Sequence, residues 1–302
     1  MKNKILILGG TGYLGSNIAI RLSNVHDVTV TGKQPVNIFS KEDFVKNRIS
    51  FERHRLTDLK NNLEFIKKFD QIIFAVPNLQ PHISRPLLHS DFFKIVGPTK
   101  KIFKFASSEG IKIIFLSSGG SVYGNNNRSM HSEISPSKPV TKYGKIKLLL
   151  DDYLMHLNHE YGSTNVSLRI SNPYGGTFNN RFKQGFINML IHNIDTGKPI
   201  EIWGDGKQIR DFIFIEDLLN LTSLIVDQDG GGIFNCGTGV GHSLREVVEA
   251  CESILNEKIR VSYLMSYSEK IGANVLNIEK VKEFYGWNPF FTLESALAKL
   301  LK

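Results

Sequence analysis

The sequence predicts an α/β fold in which helices cover both faces of a doubly wound, parallel sheet. Unbroken apolar runs, as at residues 5–8 and 113–116, have the composition of strands that are buried on both faces. Apolar residues recur at helical spacing elsewhere, most regularly over residues 143–159. Strands and helices that alternate in this way are typical of a doubly wound sheet.

Length and composition are those of a globular protein with a sizeable core. The chain has 302 residues, of which 41% are apolar, enough for one large or two modest domains. Its two cysteines provide no disulfide framework and indicate a reducing, cytoplasmic environment. No apolar stretch has the length of a signal-peptide core or a bilayer span, so we expect no membrane association.

The distribution of charge argues against a nucleic-acid-binding protein, and the spacing of the histidines argues against a metal site. The formal net charge is +8, but the basic residues are dispersed and their longest runs are pairs, which argues against a nucleic-acid partner. None of the nine histidines has metal-ligand spacing, so we expect no metal site. A small anionic substrate would account for part of the positive charge, and solvated faces for more of it.

The first predicted strand is followed directly by a glycine-rich turn. Residues 9–15 read GGTGYLG, and Leu14, Ile18 and Leu22 then recur at helical spacing. Glycines in this position let the backbone approach a pyrophosphate, whose negative charge is stabilised by the helix N-terminus. The pattern predicts a dinucleotide site; the alternative is a tight turn that binds nothing.

The second predicted strand, residues 28–30, bears on the choice of dinucleotide. It ends in Thr31, Gly32 and Lys33, without the carboxylate that would hold the ribose 2′-hydroxyl of NAD. A cation in place of an acid suits a 2′-phosphate, so the sequence favours NADP over NAD. Further strands are predicted at residues 71–76 and 113–116, with a helix from about residue 94 to 108 between them.

A serine- and glycine-rich segment and a Tyr-x-x-x-Lys pair come next. Residues 117–124 read SSGGSVYG and begin at the end of a predicted strand, where ligands of such sheets bind. Tyr143 and Lys147 are four residues apart and lie on one face of the predicted helix. A nearby ammonium lowers the pKa of a phenol and makes it usable for proton transfer. The alternative is a loop without function and two surface side chains that are neighbours by chance.

These segments, in this order and spacing, resemble the extended short-chain dehydrogenase/reductases, and within them the NAD(P)-dependent epimerase/dehydratases of nucleotide sugars, typified by UDP-galactose 4-epimerase. The C-terminal half resembles the family in LRISNPYG at residues 168–175, IWGDGKQIRDFI at 202–213, FNCGTG at 234–239 and YGWNP at 285–289. The resemblance covers nearly the whole chain. It implies a Rossmann-type doubly wound sheet with a smaller C-terminal α/β portion that binds the substrate.

The resemblance also implies a domain arrangement. We expect residues 1–172 to form the dinucleotide-binding domain and residues 173–302 mainly the sugar-nucleotide portion, with some elements returning to the first domain. Trp203 and Trp287 are expected to pack rather than to stack on a base, and residues 243–246 to form a helix capping box. The helices near 94–108 and 143–159 form the dimer interface in relatives, which implies a homodimer.

The implied chemistry is a redox reaction at a sugar hydroxyl. Tyr143 would take the hydroxyl proton while a hydride leaves the same carbon for the nicotinamide, and Lys147 would bind the nicotinamide ribose and hold down the pKa of Tyr143. A serine would hydrogen-bond the reacting oxygen, and Arg210 would pair with the diphosphate of a nucleotide-diphosphate sugar.

Carried over position by position, the resemblance assigns two sets of binding residues in addition to the catalytic ones. The cofactor set is Gly9, Thr11, Gly12, Tyr13, Leu14, Gly15, Lys33, Arg55, Leu56, Ala75, Val76, Lys94, Tyr143, Lys147 and Pro173. The substrate set is Ser118, Ser121, Tyr143, Asn172, Gln184, Trp203, Arg210 and Lys270.

The catalytic hydroxyl is one of several departures from the family pattern. The family usually has Ser or Thr five residues before the glycine of Val-Tyr-Gly, but that position is Gly119 in this chain. The hydroxyl role then passes to Ser118 or Ser121, or to neither. Of the two serines we favour Ser121.

The other departures change charge. The aspartate that often contacts adenine falls at Arg55, and an asparagine near the nicotinamide falls at Lys94. Together with Lys33 they add positive charge, which fits a cofactor with a third phosphate; the alternative is drift on a basic protein. A second arginine that clamps the diphosphate falls at Tyr267, which leaves Lys270 as a shifted source of charge.

The expected function is therefore that of an NAD(P)-dependent nucleotide-sugar epimerase, acting at C4 of a UDP-sugar through a transient keto-sugar. If an incoming keto-sugar is instead reduced and released, the enzyme is an NADPH-dependent reductase, an alternative that a preference for NADP would favour. Family frequency favours the epimerase, which we place first. A third alternative is a dinucleotide-binding regulatory or scaffold protein without turnover.

Overall fold

The protein, studied as a computed structural model, is described over residues 2–32, 46–76, 89–124, 130–176, 185–264 and 273–302. The predictions made at Lys33, Gln184, Tyr267 and Lys270 lie outside these ranges. The strands are β1 (Lys4–Leu8), β2 (Asp27–Thr31), β3 (Ser50–Glu52), β4 (Gln71–Phe74), β5 (Lys112–Ser118), β6 (Met130–His131), β7 (Val166–Ile170), β8 (Asn172–Tyr174), β9 (Ile200–Trp203), β10 (Ile209–Phe214), β11 (Gly232–Cys236), β12 (Gly241–Ser243), β13 (Val261–Leu264) and β14 (Val275–Leu276).

Helices connect most of these strands. They are α1 (Tyr13–Ser23), α2 (Leu56–Leu59), α3 (His89–Ser108), α4 (Gly119–Val122), α5 (Lys142–Tyr161), α6 (Phe186–Asp195), α7 (Ile215–Asp227), α8 (Leu244–Leu255), α9 (Glu279–Tyr285) and α10 (Leu293–Leu301), with a 3₁₀ helix at Leu63–Lys68. The helix predicted from residue 94 begins at His89, and the helix predicted over 143–159 is α5. The capping box of α8 is confirmed by the mutual hydrogen bonds of Ser243 and Glu246.

Seven strands form one parallel sheet, in the order β11-β7-β5-β4-β1-β2-β3. The predicted doubly wound parallel sheet is thereby confirmed. Because β1 lies between β2 and β4, the direction of strand order reverses at β1, and ligands of such sheets bind outside the carboxyl ends at this switch point. Leu8 pairs with both Thr31 and Phe74, so the ends of these three strands are level.

Alternate residues of the central strands face two separate cores. Ile5 and Ile7 of β1 pack on the side of α1 and α7, whereas Leu6 and Leu8 pack on the side of α3 and α5. All four side chains are buried, because helices cover both faces of a parallel sheet. Helices α3 and α5 are therefore held at a fixed depth relative to the edge of the sheet.

Three small sheets, β12-β10-β8, β13-β9 and β14-β6, make up most of the remaining strand structure. Strand β10 carries Arg210 and the fully buried Asp211. The carboxylate of Asp211 accepts hydrogen bonds from the backbone N–H groups of Thr238 (2.8 Å), Gly239 (3.2 Å) and Leu276 (3.2 Å). Asp211 thus ties β14 and the loop after β11 to the strand that carries Arg210.

The two tryptophans differ in exposure. Trp287 is 3% exposed and its Nε1 donates a hydrogen bond to the backbone oxygen of Asp217 at 3.2 Å, so its predicted packing role is confirmed. Trp203 is 64% exposed at the end of β9, so the same prediction for Trp203 is wrong. An alternating strand cannot bury both faces when only one of them is covered.

Within the described ranges, no helix is both long and apolar enough to cross a membrane. The same part of the chain contains no group of three or more His, Cys, Asp or Glu side chains placed to hold a metal ion. Cys236 and Cys251 are both free and buried.

Candidate active site

The glycine turn lies at the carboxyl end of β1, at the switch point of the sheet. Gly9 has φ +81°, a conformation that favours glycine, and a Cβ at this position would lie 2.7 Å from the backbone oxygen of Ala75. A Cβ at Gly15 would lie 2.5 Å from the backbone oxygen of Gly9, so the turn contacts the first turn of α1 through backbone atoms. These positions require glycine for packing as well as for any ligand.

The first turn of α1 has the features that suit an anion. It contains no acidic residue, and its leading N–H groups have no partners within the helix. Gly12 precedes it in an extended conformation and donates its N–H to the backbone oxygen of Gly9 at 3.0 Å, which holds the turn closed. Backbone approach and a positive helix end are what a pyrophosphate needs. Gly9, Gly12, Leu14 and Gly15 therefore fit a dinucleotide on the geometry of this chain.

The other predicted cofactor residues lie around this turn or on neighbouring strand ends. Thr11 fills the space beside Gly32 at the end of β2, and Ala75 donates its N–H to Leu8 at 2.8 Å, with Val76 next to it. Tyr13 is directed away from the turn, because its buried hydroxyl donates to the backbone oxygen of Gly175 at 2.8 Å.

Two arginines follow β3, the strand next to β2. Arg55 precedes α2, where Leu56 is the first helical residue, and its side chain is exposed. Arg53 is also exposed and follows β3, the neighbour of β2. The sequence reasoning missed Arg53, because the three-residue strand β3 has no distinctive apolar run. Lys94 is exposed on α3, and Pro173 lies in β8, paired with Ile213.

Helix α5 presents Tyr143 to the end of β5. The helix begins with Thr141 as N-cap, whose hydroxyl accepts a hydrogen bond from the N–H of Gly144 at 3.1 Å. A Cβ at Gly144 would lie 2.5 Å from the backbone oxygen of Ser121, so the first turn of α5 is in contact with α4. This close packing places Tyr143 beside Ser118, whose hydroxyl interacts with the phenol.

Ser118, Tyr143 and Lys147 form what we call the catalytic cluster. Lys147 is 4% exposed, and its Nζ donates to the backbone oxygen of Leu116 at 2.7 Å and lies 5.6 Å from the centre of the Tyr143 ring. The three side chains come from one strand and one helix that pack on each other. The predicted neighbourhood of Tyr143 and Lys147 is thus present, and Lys147 does not extend into bulk solvent.

The pKa values in the catalytic cluster are dominated by burial. Burial raises the pKa of Tyr143 to about 12, although the nearby Ser118 hydroxyl opposes this by favouring the phenolate. Burial lowers the pKa of Lys147 to about 8, and the carboxylate of Asp151 opposes that shift. The expectation that Lys147 holds the pKa of Tyr143 below its usual value is therefore wrong for the protein alone, because removal from water is the largest influence on this phenol.

The preference for Ser121 over Ser118 stays a prediction, and the surroundings of Tyr143 favour Ser118 instead. The hydroxyl that meets Tyr143 belongs to Ser118, the last residue of β5. Ser121 lies in α4 and meets α5 through its backbone oxygen. The sequence could not distinguish the two serines, because the segment was expected to be a loop. In the structure, residues 119–122 form one helical turn, so Ser121 lies in this turn and not at the end of the strand.

The absence of a side chain at Gly119 has a packing reason. A Cβ at this position would lie 2.6 Å and 2.9 Å from the two Cδ atoms of Leu276, and 3.1 Å from the backbone oxygen of Arg169. The Leu276 side chain is fully buried there. The space beside Gly119, where the sequence departs from the family pattern, is therefore filled by the methyl groups of Leu276.

Asn172, Trp203 and Arg210, three residues predicted to bind the substrate, are called the substrate face below. Asn172 Nδ2 donates to the backbone oxygen of Asp211 at 2.8 Å, and its Oδ1 would lie 3.9 Å from a Cβ at Gly120, which is next to Ser118. Arg210 is half-buried, and burial lowers its pKa. Its Nη1 donates to the backbone oxygen of Ile209 at 2.7 Å.

Asn274 connects the two groups and was missed by the sequence reasoning. It bridges to Arg210 on the backbone, and its Nδ2 lies 3.4 Å from the backbone oxygen of Gly119. Its Oδ1 is buried and has no hydrogen-bond partner among the described residues. An asparagine just before a two-residue strand gives no sequence signal, because its position depends on pairing with β10. The substrate face and the catalytic cluster therefore meet at Gly119 and Gly120.

A parallel sheet with a glycine turn at its switch point, and a Tyr–Lys pair at the same edge, defines a dinucleotide-dependent α/β enzyme. Residues 5–237 match the profile of the NAD dependent epimerase/dehydratase family. The chain belongs to this family and is an NAD(P)-dependent enzyme of the epimerase and reductase type.

Individual relatives are similar over their whole length. The dTDP-4-dehydro-6-deoxyglucose reductase of Escherichia coli is 29% identical over 313 residues, which cover 100% of this chain and 97% of the relative. The putative UDP-glucose 4-epimerase of Methanocaldococcus jannaschii is 28% identical over 305 residues, covering 98% and 97%. The structure of the UDP-glucose 4-epimerase of Thermotoga maritima with UDP-glucose matches with a TM-score of 0.89 at 24% identity, covering 99% and 97%, and shows the same fold.

Proposed function

We propose that this enzyme oxidises and re-reduces a secondary alcohol of a nucleotide-diphosphate sugar, and that its reaction is epimerisation at C4 of a UDP-sugar. The observation that carries the proposal is the catalytic cluster, in which a phenol, an ammonium and a hydroxyl meet at the same sheet edge as the glycine turn. A phenol that can exchange a proton, beside a site for a nicotinamide, suits the interconversion of alcohol and ketone.

Each residue of the catalytic cluster has a distinct role in this proposal. Tyr143 Oη accepts the proton of the sugar hydroxyl in the oxidation and returns it in the reduction. Ser118 hydrogen-bonds the same sugar oxygen and favours the phenolate of Tyr143. Lys147 keeps positive charge beside the reacting atoms. Bound NAD(P) supplies the acceptor and donor of the hydride.

The substrate class rests on the substrate face and on the relatives. Arg210, with a guanidinium that suits bidentate binding of phosphate oxygens, is assigned to the diphosphate. Trp203, exposed at the end of β9, offers a ring on which a nucleobase could stack. The relatives act, by name, on UDP-glucose or on a dTDP-linked keto-sugar, so the nucleotide sugar is the property they share.

A net keto-sugar reductase is a second candidate, favoured by the state of Tyr143. A phenol with a pKa of about 12 holds its proton at neutral pH, which is the form that donates to a ketone. Arg53 and Arg55, at the end of the strand beside β2, would suit the 2′-phosphate of NADP, the usual donor for a reductase. We propose accordingly that NADP binds at least as tightly as NAD.

One assay separates the two reactions. Purified enzyme is incubated with UDP-glucose and with other UDP-sugars, and the products are separated by chromatography while nicotinamide absorbance is followed. An epimer that forms without net change in nicotinamide absorbance supports the epimerase. Turnover only with a 4-keto-sugar, with equal loss of NADPH, replaces it by the reductase, and no reaction with either class rejects both.

Further predictions concern the cofactor preference, the oligomeric state and the location of the protein. Calorimetric titration should give a dissociation constant for NADP no larger than that for NAD, and a clear preference for NAD would reject the role given to Arg53 and Arg55. The homodimer through α3 and α5 and the cytoplasmic location stay predictions. Light scattering, measured as the protein elutes from a size-exclusion column, would determine whether it is a dimer.

A further inference from the structure

A buried carboxylate lies directly below the catalytic cluster. Tyr143, Lys147 and Asp151 follow one another at intervals of four residues and so share one face of α5. Asp151 is fully buried. Its Oδ1 accepts a hydrogen bond from Ser167 Oγ at 2.5 Å, and its Oδ2 accepts one from Arg169 Nε at 3.0 Å.

This carboxylate belongs to a set of three buried charges. Lys147 and Arg169 are cations with almost no exposure. The carboxylate of Asp151 forms a salt bridge with Arg169 and lies one helical turn from Lys147 on α5. A buried ion is tolerated only when it is paired and hydrogen-bonded. With two cations and one anion, the set has one excess positive charge, and Tyr143 is the neighbouring group that would form a negative charge during the reaction.

The groups around Lys147 come from each element that packs on α5. Strand β7 contributes Arg169, and the turn after α4 contributes Tyr123, whose ring centre lies 5.0 Å from the Arg169 guanidinium. Near Lys147, β5 presents the Leu116 carbonyl and the Phe115 ring, which are uncharged. Lys100 and Lys104 of α3 lie beside Tyr153 of α5. Asp152 follows Asp151 on α5, Lys112 is the first residue of β5, and Cys236 is the last residue of β11.

We propose that Asp151 is a positioning residue that acts through Lys147 to keep the Tyr143–Lys147 pair fully protonated, and thereby sets the pH range in which the enzyme works. The proposal rests on the proposed role of Tyr143 as proton donor and acceptor. Asp151 is one helical turn further along α5 than Lys147. Burial raises the pKa of Asp151, and the charge of Arg169 and the hydrogen bonds from Ser167 and Arg169 oppose that shift by favouring the carboxylate.

The direction of the effect follows from the charges. The Asp151 carboxylate raises the pKa of Lys147 and also that of Tyr143, because it favours the protonated form of both groups. Lys147 loses its charge as the pH rises through its pKa of about 8. Without the carboxylate, both groups release their protons at lower pH. Removal of the carboxylate therefore lowers both pKa values, whether Tyr143 acts as acid or as base.

The test measures the titration of Lys147 in the whole protein without ligands, by ¹⁵N NMR of its Nζ, assigned by its loss in Lys147→Met. Asp151→Asn should move the midpoint down by about one pH unit or more. Asp151→Glu, which keeps the charge, should leave it within about 0.3 unit. Ser167→Ala is the matched control, because it removes a hydrogen bond to Asp151 and no charge.

An unchanged midpoint in Asp151→Asn, with only lowered thermal stability, would overturn the proposal and leave Asp151 a structural residue. If Asp151→Asn does not fold, ¹³C NMR of the aspartate carboxyl groups in the unsubstituted protein takes its place: ionised Asp151 at pH 7 supports the proposal, and protonated Asp151 at pH 7 rejects it. Activity of Tyr143→Phe is measured in parallel. Retained turnover there rejects the proposed function, whatever the titration of Lys147 shows.

Discussion

The catalytic cluster and the substrate face are built in different ways. The cluster comes from β5 and α5, two long elements that pack on each other through buried side chains and backbone contacts. The substrate face comes from β8, β9 and β10, strands of three, four and six residues in two small sheets. Regular, deeply packed elements fix reacting atoms closely, whereas short strands at a surface leave room for different ligands.

The comparison implies that substitutions in the cluster lower kcat, whereas substitutions on the substrate face raise KM. The largest effect is expected for Tyr143→Phe, which removes the group that exchanges the proton. Turnover should fall by roughly 10²–10⁴-fold. Steady-state kinetics measures the loss, and calorimetric titration with NAD and NADP should show nearly unchanged binding. A Tyr143→Phe variant with the original kcat would contradict the expectation that substitutions in the catalytic cluster lower kcat.

Ser118→Ala is expected to have the next largest effect, because its hydroxyl meets Tyr143. A loss of kcat of about 10²-fold is expected for a hydrogen-bond donor at the reacting oxygen. Ser121→Ala is the matched control on the neighbouring turn and should keep kcat within about threefold. If Ser121→Ala shows the larger loss, the hydroxyl role belongs to Ser121 after all.

Arg210→Gln tests the other region. Loss of a charge-assisted hydrogen bond costs about 1.5–3 kcal/mol, so KM for the nucleotide sugar should rise by roughly 10–100-fold with kcat less affected. Arg245→Gln is the control, because Arg245 is an exposed arginine of α8 whose guanidinium lies 4.6 Å from the centre of the Tyr263 ring. An equal rise in KM for the control would assign the diphosphate to Arg245.

The two tryptophans provide the smallest expected effect on activity. Trp203→Ala should raise KM about fivefold, the loss of about 1 kcal/mol of stacking, and leave the melting temperature unchanged because Trp203 is exposed. Trp287→Ala should instead lower the free energy of unfolding by about 3–5 kcal/mol. Kinetics and thermal unfolding of both variants measure these effects. A destabilised Trp203→Ala would mean that this side chain packs, as the sequence first indicated.

The sequence predicted what depends on local pattern. The strand β1, the glycine turn and α1 were predicted because apolar runs, glycine spacing and helical periodicity coincide within residues 5–22. The pairing of Tyr143 with Lys147 was predicted because four residues make one helical turn. The structure confirms the parallel sheet and adds the order of its strands, which cannot be read from sequence patterns alone.

What depends on distant contacts could not be predicted. Ser118 and Ser121 look equivalent in SSGGSVYG until the helical turn α4 separates them. The pKa of Tyr143 depends on how deeply α5 packs, which the spacing of Tyr143 and Lys147 does not reveal. Asn274 reaches Gly119 only because β10 pairs beside it, across 155 residues of sequence.

The contact between Gly119 and Leu276 has a consequence for how this site could change over evolution. A serine at 119 alone would collide with the Leu276 methyl groups, and a smaller residue at 276 alone would leave an empty space beneath a glycine. A hydroxyl side chain at position 119 therefore requires that the buried Leu276 side chain move or be replaced.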